Sequence, residues 1–290
     1  MRLTDLRSLA ARIGNGQCVA VPSDVGGVSM AATRALVRQG VRDLHLVGVP
    51  TSGLQADVLI GAGCVRLIEA SAVSLGELGL APRFTAAIRN RVIEMRDATC
   101  PAVHAGLVAG EKGVPFMAMR GLIGSDLLRS RPDWKVIDNP CADAPDPIVL
   151  IAAIRPDVAL MHVPLADREG NVWVGMRREL LVMAHAARTT LVTAERLSDT
   201  SLLADPLLAP AVIPSLYVSA VAMAPQGAAP IGLYGEYPAD ESTLADYARE
   251  ARSVEGFEGW LARYLAVHAA ADAPALESGV LHPAQGPTLG

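Results

Sequence analysis

The chain has 290 residues, 51% of them hydrophobic and only 19% charged, with a formal net charge of −5. Disorder requires low hydrophobicity with high net charge and a nucleic-acid binder needs a basic face, so both are excluded. An aromatic content of 4% also argues against a surface on which bases or sugars stack. The core is therefore aliphatic, and the length fits one α/β domain.

The N-terminus, Met1 to Arg12, carries charges at Arg2, Asp5, Arg7 and Arg12 and no apolar run, so no signal peptide is expected and the cytoplasm is the expected compartment. Cys18-Val19-Ala20-Val21 reads as the first strand, and Pro22-Ser23-Asp24-Val25-Gly26-Gly27 as the loop after it. Ser29 caps a helix through Leu36 and Val37, and Gly40 stands where a left-handed C-terminal glycine belongs. Strands are expected at Leu44 to Val49, Val65 to Ile68, Val92 to Met95 and Val114 to Met119, with helices opened by Pro82 and Pro101 between them. Val158 to Val163 and Thr190 to Thr193 are further strands, separated by a helix over Met176 to Ala187.

Pro206 to Gly235 holds no charged residue and is long enough to span a bilayer. Five prolines interrupt it, so it reads as loop, buried strand near Ser215 to Met223, and loop. Leu244 to Arg252 and Phe257 to Ala266 are closing helices. Residues 1–269 are expected to form a single domain, and 270–290 a flexible tail. The four cysteines, Cys18, Cys64, Cys100 and Cys141, lie far apart and are expected as buried, reduced thiols.

Alternation of strands with helices predicts a mostly parallel, Rossmann-like sheet with helices on both faces. Ligands then sit in the loops beyond the carboxyl ends of the strands. Four loops carry candidate chemistry. Ser23, Gly26 and Gly27 allow close backbone approach, or serve only turn geometry. Glu94, Asp97, Thr99 and Cys100 bring carboxylate, hydroxyl and thiol to one strand end, as a base or nucleophile or as helix caps. Arg120, with Ser125 beyond it, could hold a carboxylate or phosphate, or be a surface arginine. His162, Asp167 and Gly170-Asn171 read first as a core histidine and a tight turn. No pair of cysteines or histidines has metal-ligand spacing, and no hydrolase elbow or zinc-protease motif occurs.

Several segments, in order, are similar to a known family: Asn15-Gly16, Gly40-Val41-Arg42-Asp43-Leu44, Gly63-Cys64-Val65-Arg66 and Gly113-Val114-Pro115-Phe116-Met117 with Arg120-Gly121 and Gly124-Ser125-Asp126. Arg155-Pro156-Asp157-Val158-Ala159, His162, Ala166-Asp167, Gly170-Asn171-Val172, Ala224-Pro225-Gln226-Gly227-Ala228, Tyr237 and Asp240 follow. Together they resemble the α (A) subunit of family I coenzyme A transferases, in the glutaconate CoA-transferase branch. The resemblance implies a homologous β subunit, in an α2β2 or similar assembly, whose glutamate attacks an acyl-CoA and becomes a glutamyl-CoA thioester. It implies acyl-CoA and carboxylic acid as substrates, no permanently bound cofactor or metal, and no nucleic-acid or membrane partner. This chain alone is then inactive and supplies the other wall of the site, around Ser23 to Gly27 and Glu94 to Cys100. The family's Gly-Gly-Phe loop is replaced here by Pro22-Ser23-Asp24. A related branch hydrolyses a carbon–carbon bond in a ring-derived CoA thioester, for which Glu94 or Asp97 is the expected carboxylate. A protein that binds a CoA ester or sugar phosphate without turnover is the remaining alternative.

Overall fold

The computed structural model describes residues 3–272. The chain runs β1 (Leu3–Thr4), α1 (Leu6–Ala10), β2 (Cys18–Pro22), α2 (Met30–Gln39), β3 (Leu44–Val49), α3 (Leu54–Gly61), β4 (Val65–Ala70), α4 (Pro82–Arg89), β5 (Glu94–Asp97) and α5 (Cys100–Glu111). Next come β6 (Phe116–Met119), α6 (Leu127–Ser130), β7 (Lys135–Asp138), β8 (Pro147–Ala152), β9 (Val158–Asp167) and β10 (Val172–Trp173). The remainder is α7 (Glu179–Ala186), β11 (Thr189–Ser198), β12 (Val212–Ile213), β13 (Ala220–Met223), α8 (Glu241–Glu250) and α9 (Val254–Val267).

The main sheet has the order β1-β13-β11-β9-β2-β3-β4-β5, every neighbouring pair parallel, with β10 added antiparallel to β9 and β12. From β2 the chain winds outward through β3, β4 and β5, whereas β9 lies on the other side of β2. The crevice between β2 and β9 is thus a topological switch point, where parallel sheets open toward ligands.

Both faces are covered, and adjacent residues of a strand serve opposite faces. Leu46, Leu160 and Leu191 join the core with Leu9, Leu36 and Leu59 of α1, α2 and α3. Val47, Met161 and Val192, one position along each strand, join Val103 and Leu107 of α5 and Leu180 and Met183 of α7. Burying each of these side chains contributes about 1.5–3 kcal/mol. The scarce aromatics concentrate in a third cluster, where Tyr247, Phe257, Trp260 and Tyr264 of α8 and α9 close over Met30, Leu54 and Val58. Helix α2 forms as its sequence suggests: the Ser29 hydroxyl accepts the Ala32 N–H at 3.3 Å, and Gly40, at φ 65°, ends it.

Several expectations change. The run Val114 to Met119 is not a strand of the parallel sheet: β6 belongs to a separate antiparallel sheet, β6-β8-β7. That sheet packs on the main body through Trp134, Val149 and Ile151, in the same apolar cluster as Leu107 and Met161. The strand read at Val92 to Met95 begins two residues later, because Arg91 takes a positive φ of 55° and Val92 is exposed in the turn. Cys100 and Cys141 are exposed rather than buried, one at the start of α5 and one in the β7–β8 turn, whereas Cys64 is buried.

Pro206 to Gly235 is broken into a short turn, β12 and β13, and no helix among the described residues is long and apolar enough to cross a membrane. The tail expected from Ala270 lies outside the described residues beyond Asp272. Asp272 itself receives both Nε and Nη2 of Arg34 at 2.8 Å.

Candidate active site

Strands β2 to β5 point the same way, so the loops that follow them form one continuous edge. At its centre is the loop after β2. Gly27 has φ +94°, and a Cβ there would stand 2.4 Å from the His162 carbonyl oxygen. Its own carbonyl accepts the His162 N–H at 2.7 Å, so the loop is laced to β9. Gly27 is therefore required by close approach as well as by conformation. Gly26 is less constrained, with its nearest prospective contacts, Pro22 Cβ and Ser23 Oγ, at 3.2 Å.

The loop Ser23 to Gly27 forms a ridge between two hollows. One, of about 390 Å³, lies over the ends of β2, β3 and β4 and is lined by Ser23, Asp24, Thr51, Ser52, Ser74 and Tyr247. Asp24 caps α3 from below: its Oδ2 accepts the Leu54 N–H at 2.9 Å, and its Oδ1 is buried with no partner among the described residues. Burial, opposed by the Leu54 bond and reinforced by the nearby Asp57, pushes its carboxyl up to about 6. The second hollow, of about 200 Å³, lies on the β9 side, where His162, Leu165, Trp173, Met176 and Tyr234 meet Gly26 and Gly27.

Beneath the second hollow is a polar network that sequence reasoning missed, because the strand read at Thr190 to Thr193 continues to Ser198 and carries Glu195. Glu195 accepts from His162 Nε2 at 2.7 Å, from Tyr237 Oη at 2.5 Å and from the backbone N–H groups of Gln226 and Gly227 at 2.7 and 3.1 Å. Burial opposes its charge, but the bonds from His162 and Tyr237 outweigh it and hold the carboxyl below its ordinary range. On its other side, His162 Nδ1 lies 2.8 Å from the Thr193 hydroxyl, and Thr193 Oγ1 meets Ser29 Oγ at 2.7 Å. His162 is thus the satisfied core histidine expected, with 0% exposure. Asp167 likewise builds the turn expected of it, its Oδ1 accepting from the N–H groups of Glu169 and Asn171 at 2.9 Å. A charged residue two positions past an apolar strand core, in Thr193-Ala194-Glu195, is the signal that could have revealed the network.

The structure brings Asp97, Thr99 and Cys100 to the same edge and leaves Glu94 apart. Glu94 pairs with Leu67 and Asp97 with Ala70, so Glu94 lies three residues, roughly 10 Å, down the strand toward its amino end. Asp97 is exposed, and its carboxylate makes no hydrogen bond among the described residues. Thr99 caps α5 by accepting the Ala102 N–H at 3.3 Å. Cys100 Sγ lies 3.1 Å from Ser71 Oγ, whose proton goes to the Pro50 carbonyl, joining the loops after β3, β4 and β5.

Arg120 and Ser125 belong to the antiparallel sheet's end. Arg120 gives Nε and Nη2 to Asp146 at 2.9 and 2.5 Å, so the carboxylate it holds is internal. Ser125 Oγ accepts the Leu127 N–H at 3.2 Å. That region reaches the edge through Arg131 instead, which binds Glu69 Oε1 at 2.6 Å and the Asp97 carbonyl at 3.1 Å.

A family model described as coenzyme A transferase matches residues 4–223. The A subunit of 3-oxoadipate CoA-transferase from Pseudomonas knackmussii is 32% identical over 271 residues, 91% of this chain and 93% of that relative. The IpdA subunit of the cholesterol ring-cleaving hydrolase from Rhodococcus jostii is 30% identical over 246 residues, 81% of this chain and 82% of that relative. Among solved structures, glutaconate coenzyme A-transferase from Acidaminococcus fermentans superposes with a TM-score of 0.83 at 25% identity, covering 91% of this chain and 89% of the other.

Proposed function

The chain belongs to the coenzyme A transferase family, and from that premise we propose that it is the α subunit of a two-subunit CoA transferase, paired with a homologous β subunit. The partner supplies the nucleophilic glutamate. Its carboxylate oxygen attacks the thioester carbonyl, the C–S bond breaks, and CoA thiolate leaves a mixed anhydride. The thiolate then attacks the glutamyl carbonyl, expelling the donor acid and forming the glutamyl-CoA thioester. The acceptor's carboxylate reverses both steps, which restores the glutamate and yields the new acyl-CoA. One difficult acyl exchange is thereby divided into easier ones.

What carries this reading is the likeness to a transferase's α-type chain over nearly the full length of both proteins. The state of one buried carboxylate agrees with it. Glu195 is saturated by four donors, so it is not free to attack a thioester. The ridge Ser23 to Gly27, with Thr99 and Cys100 beyond it, forms this chain's wall of the site. Exposed apolar side chains around the ridge, Val25, Met176 and Tyr234 at 68–73%, suit a surface that a partner covers.

The test is co-expression with a β-like chain and assay of CoA transfer from an acyl-CoA to a free acid. Transfer by the pair and none by either chain alone is expected. Transfer by this chain alone, or none by the pair across short and medium acyl donors, overturns the reading.

A second reading, CoA-thioester hydrolysis at a ring carbon–carbon bond, has its own support in the likeness to the ring-cleaving hydrolase and in Asp97, whose exposed carboxylate is unengaged at the strand's end. Under it, Asp97→Asn abolishes turnover by the pair and leaves ligand binding intact; full activity of that variant removes this reading.

A further inference from the structure

Arg131 follows α6, on the stretch of chain that leads into the antiparallel sheet, yet it is buried, with 3% exposure. Its guanidinium meets three segments at once. Nη2 donates to Glu69 Oε1 of β4 at 2.6 Å, and Nη1 to the Asp97 carbonyl at the end of β5 at 3.1 Å. Nε and Nη2 donate to the two oxygens of Asp133 at 3.0 and 2.8 Å. The Trp134 ring, itself in the core with Leu107 and Val149, centres 4.0 Å from the guanidinium carbon and backs its plane. A buried ion pair is poor evidence of stabilisation, because apolar groups of similar volume often serve as well. What arginine supplies is a rigid, planar fork of donors that fixes several acceptors relative to one another. Beyond these acceptors the chain comes together again. Ser71, two residues past Glu69, and Cys100, three past Asp97, meet at 3.1 Å between Oγ and Sγ. The loops after β4 and β5 thus leave from one guanidinium and rejoin at that contact.

We propose that Arg131 is a positioning residue: through Glu69 and the Asp97 carbonyl it sets how the loops after β4 and β5 stand against each other, and so where Asp97, Thr99 and Cys100 face the thioester substrate. The inference rests on the reading of the chain as one half of a CoA-thioester enzyme. It gives Arg131 no contact with substrate and leaves the bond-breaking step to groups at the edge and on the partner.

The test uses the assembled pair of chains and, separately, this chain by itself. Glu69→Gln combined with Arg131→Met removes both buried charges together, while Asp133, whose side chain is 40% exposed, keeps its water. The double variant is expected to melt close to the wild type and to lower kcat of the pair by roughly 100-fold with KM little changed, the scale on which a misplacement of about 1 Å acts. Arg131→Lys keeps a charge opposite Glu69 without the fork, and is expected to be as slow. Iodoacetamide labelling of this chain alone reads the loops without turnover. Cys100 should alkylate severalfold faster in both variants, and Cys141, in the β7–β8 turn, at the wild-type rate. An unchanged kcat in the double variant, full activity of Arg131→Lys, or a slower pair whose Cys100 labelling is unaltered overturns the proposal. If the wild-type pair transfers no CoA, the transferase reading fails, and the labelling rates on this chain then decide for or against Arg131.

Discussion

Glu195 and His162 lie side by side on β11 and β9, joined at 2.7 Å between Oε1 and Nε2, and the same carboxylate ties down Tyr237 and the Gln226–Gly227 backbone. One side chain thus fixes three segments around the switch point. Removing it in Glu195→Ala leaves buried donors unpaired, a change that costs about 3–5 kcal/mol in comparable buried pairs. The sign of its pH dependence follows from a carboxyl held below its ordinary range. Its contribution is complete above the unfolded value and is lost as pH falls through the lower folded value. Urea unfolding should therefore show the wild-type advantage over Glu195→Ala at pH 7 and its decline on acidification below the usual carboxylate range. Equal unfolding free energies of the two proteins at pH 7 contradict this.

Asp24 has the opposite sign. Its carboxyl, raised to about 6 from 3.8, binds a proton more tightly in the folded state. It favours folding below about pH 4 and progressively opposes it as pH rises through 6, by roughly 3 kcal/mol at most. Asp24→Asn keeps an acceptor for the Leu54 N–H and removes the charge, so its melting temperature should exceed the wild type at pH 7.5 and match it near pH 4. A variant less stable than wild type at pH 7.5 would falsify the assignment.

The two glycines of the ridge should separate cleanly. Gly27→Ala meets both a left-handed conformation, costing about 1–3 kcal/mol, and the His162 carbonyl at 2.4 Å. Gly26→Ala meets only contacts at 3.2 Å. Thermal melts should show a large drop for Gly27→Ala and a small one for Gly26→Ala, with activity of the pair following the same order.

Much of this architecture is legible in the sequence because its signals are local. Ser29 and Gly40 mark the two ends of α2, and Leu44 to Val49 gives β3 as a run of strand length that opens soon after the Gly40 helix stop. Helix α3 is not legible: every residue from Leu54 to Ile60 is buried, so no polar face exposes the helical period. Strand β6 is apolar like its neighbours, and nothing in four residues encodes pairing direction. Of the site, the ridge and the edge at Asp97 to Cys100 follow from strand–loop–helix order, and the resemblance points to the same loops. Glu94 is displaced by a turn residue with positive φ, and Glu195 is hidden by a strand twice as long as its apolar core. Arg120 looks like a free cation only because Asp146, 26 residues on, is not visible as its partner in a linear reading.

In the transferase mechanism the acyl exchange passes through the partner's glutamate while this chain shapes the site. Quenching the assembled pair during turnover and weighing each chain by intact mass tests this most directly. The expected result is a CoA adduct as a thioester on the partner, abolished by borohydride reduction, and an unmodified mass for this chain. An adduct on this chain, or steady CoA transfer with neither chain modified, contradicts it.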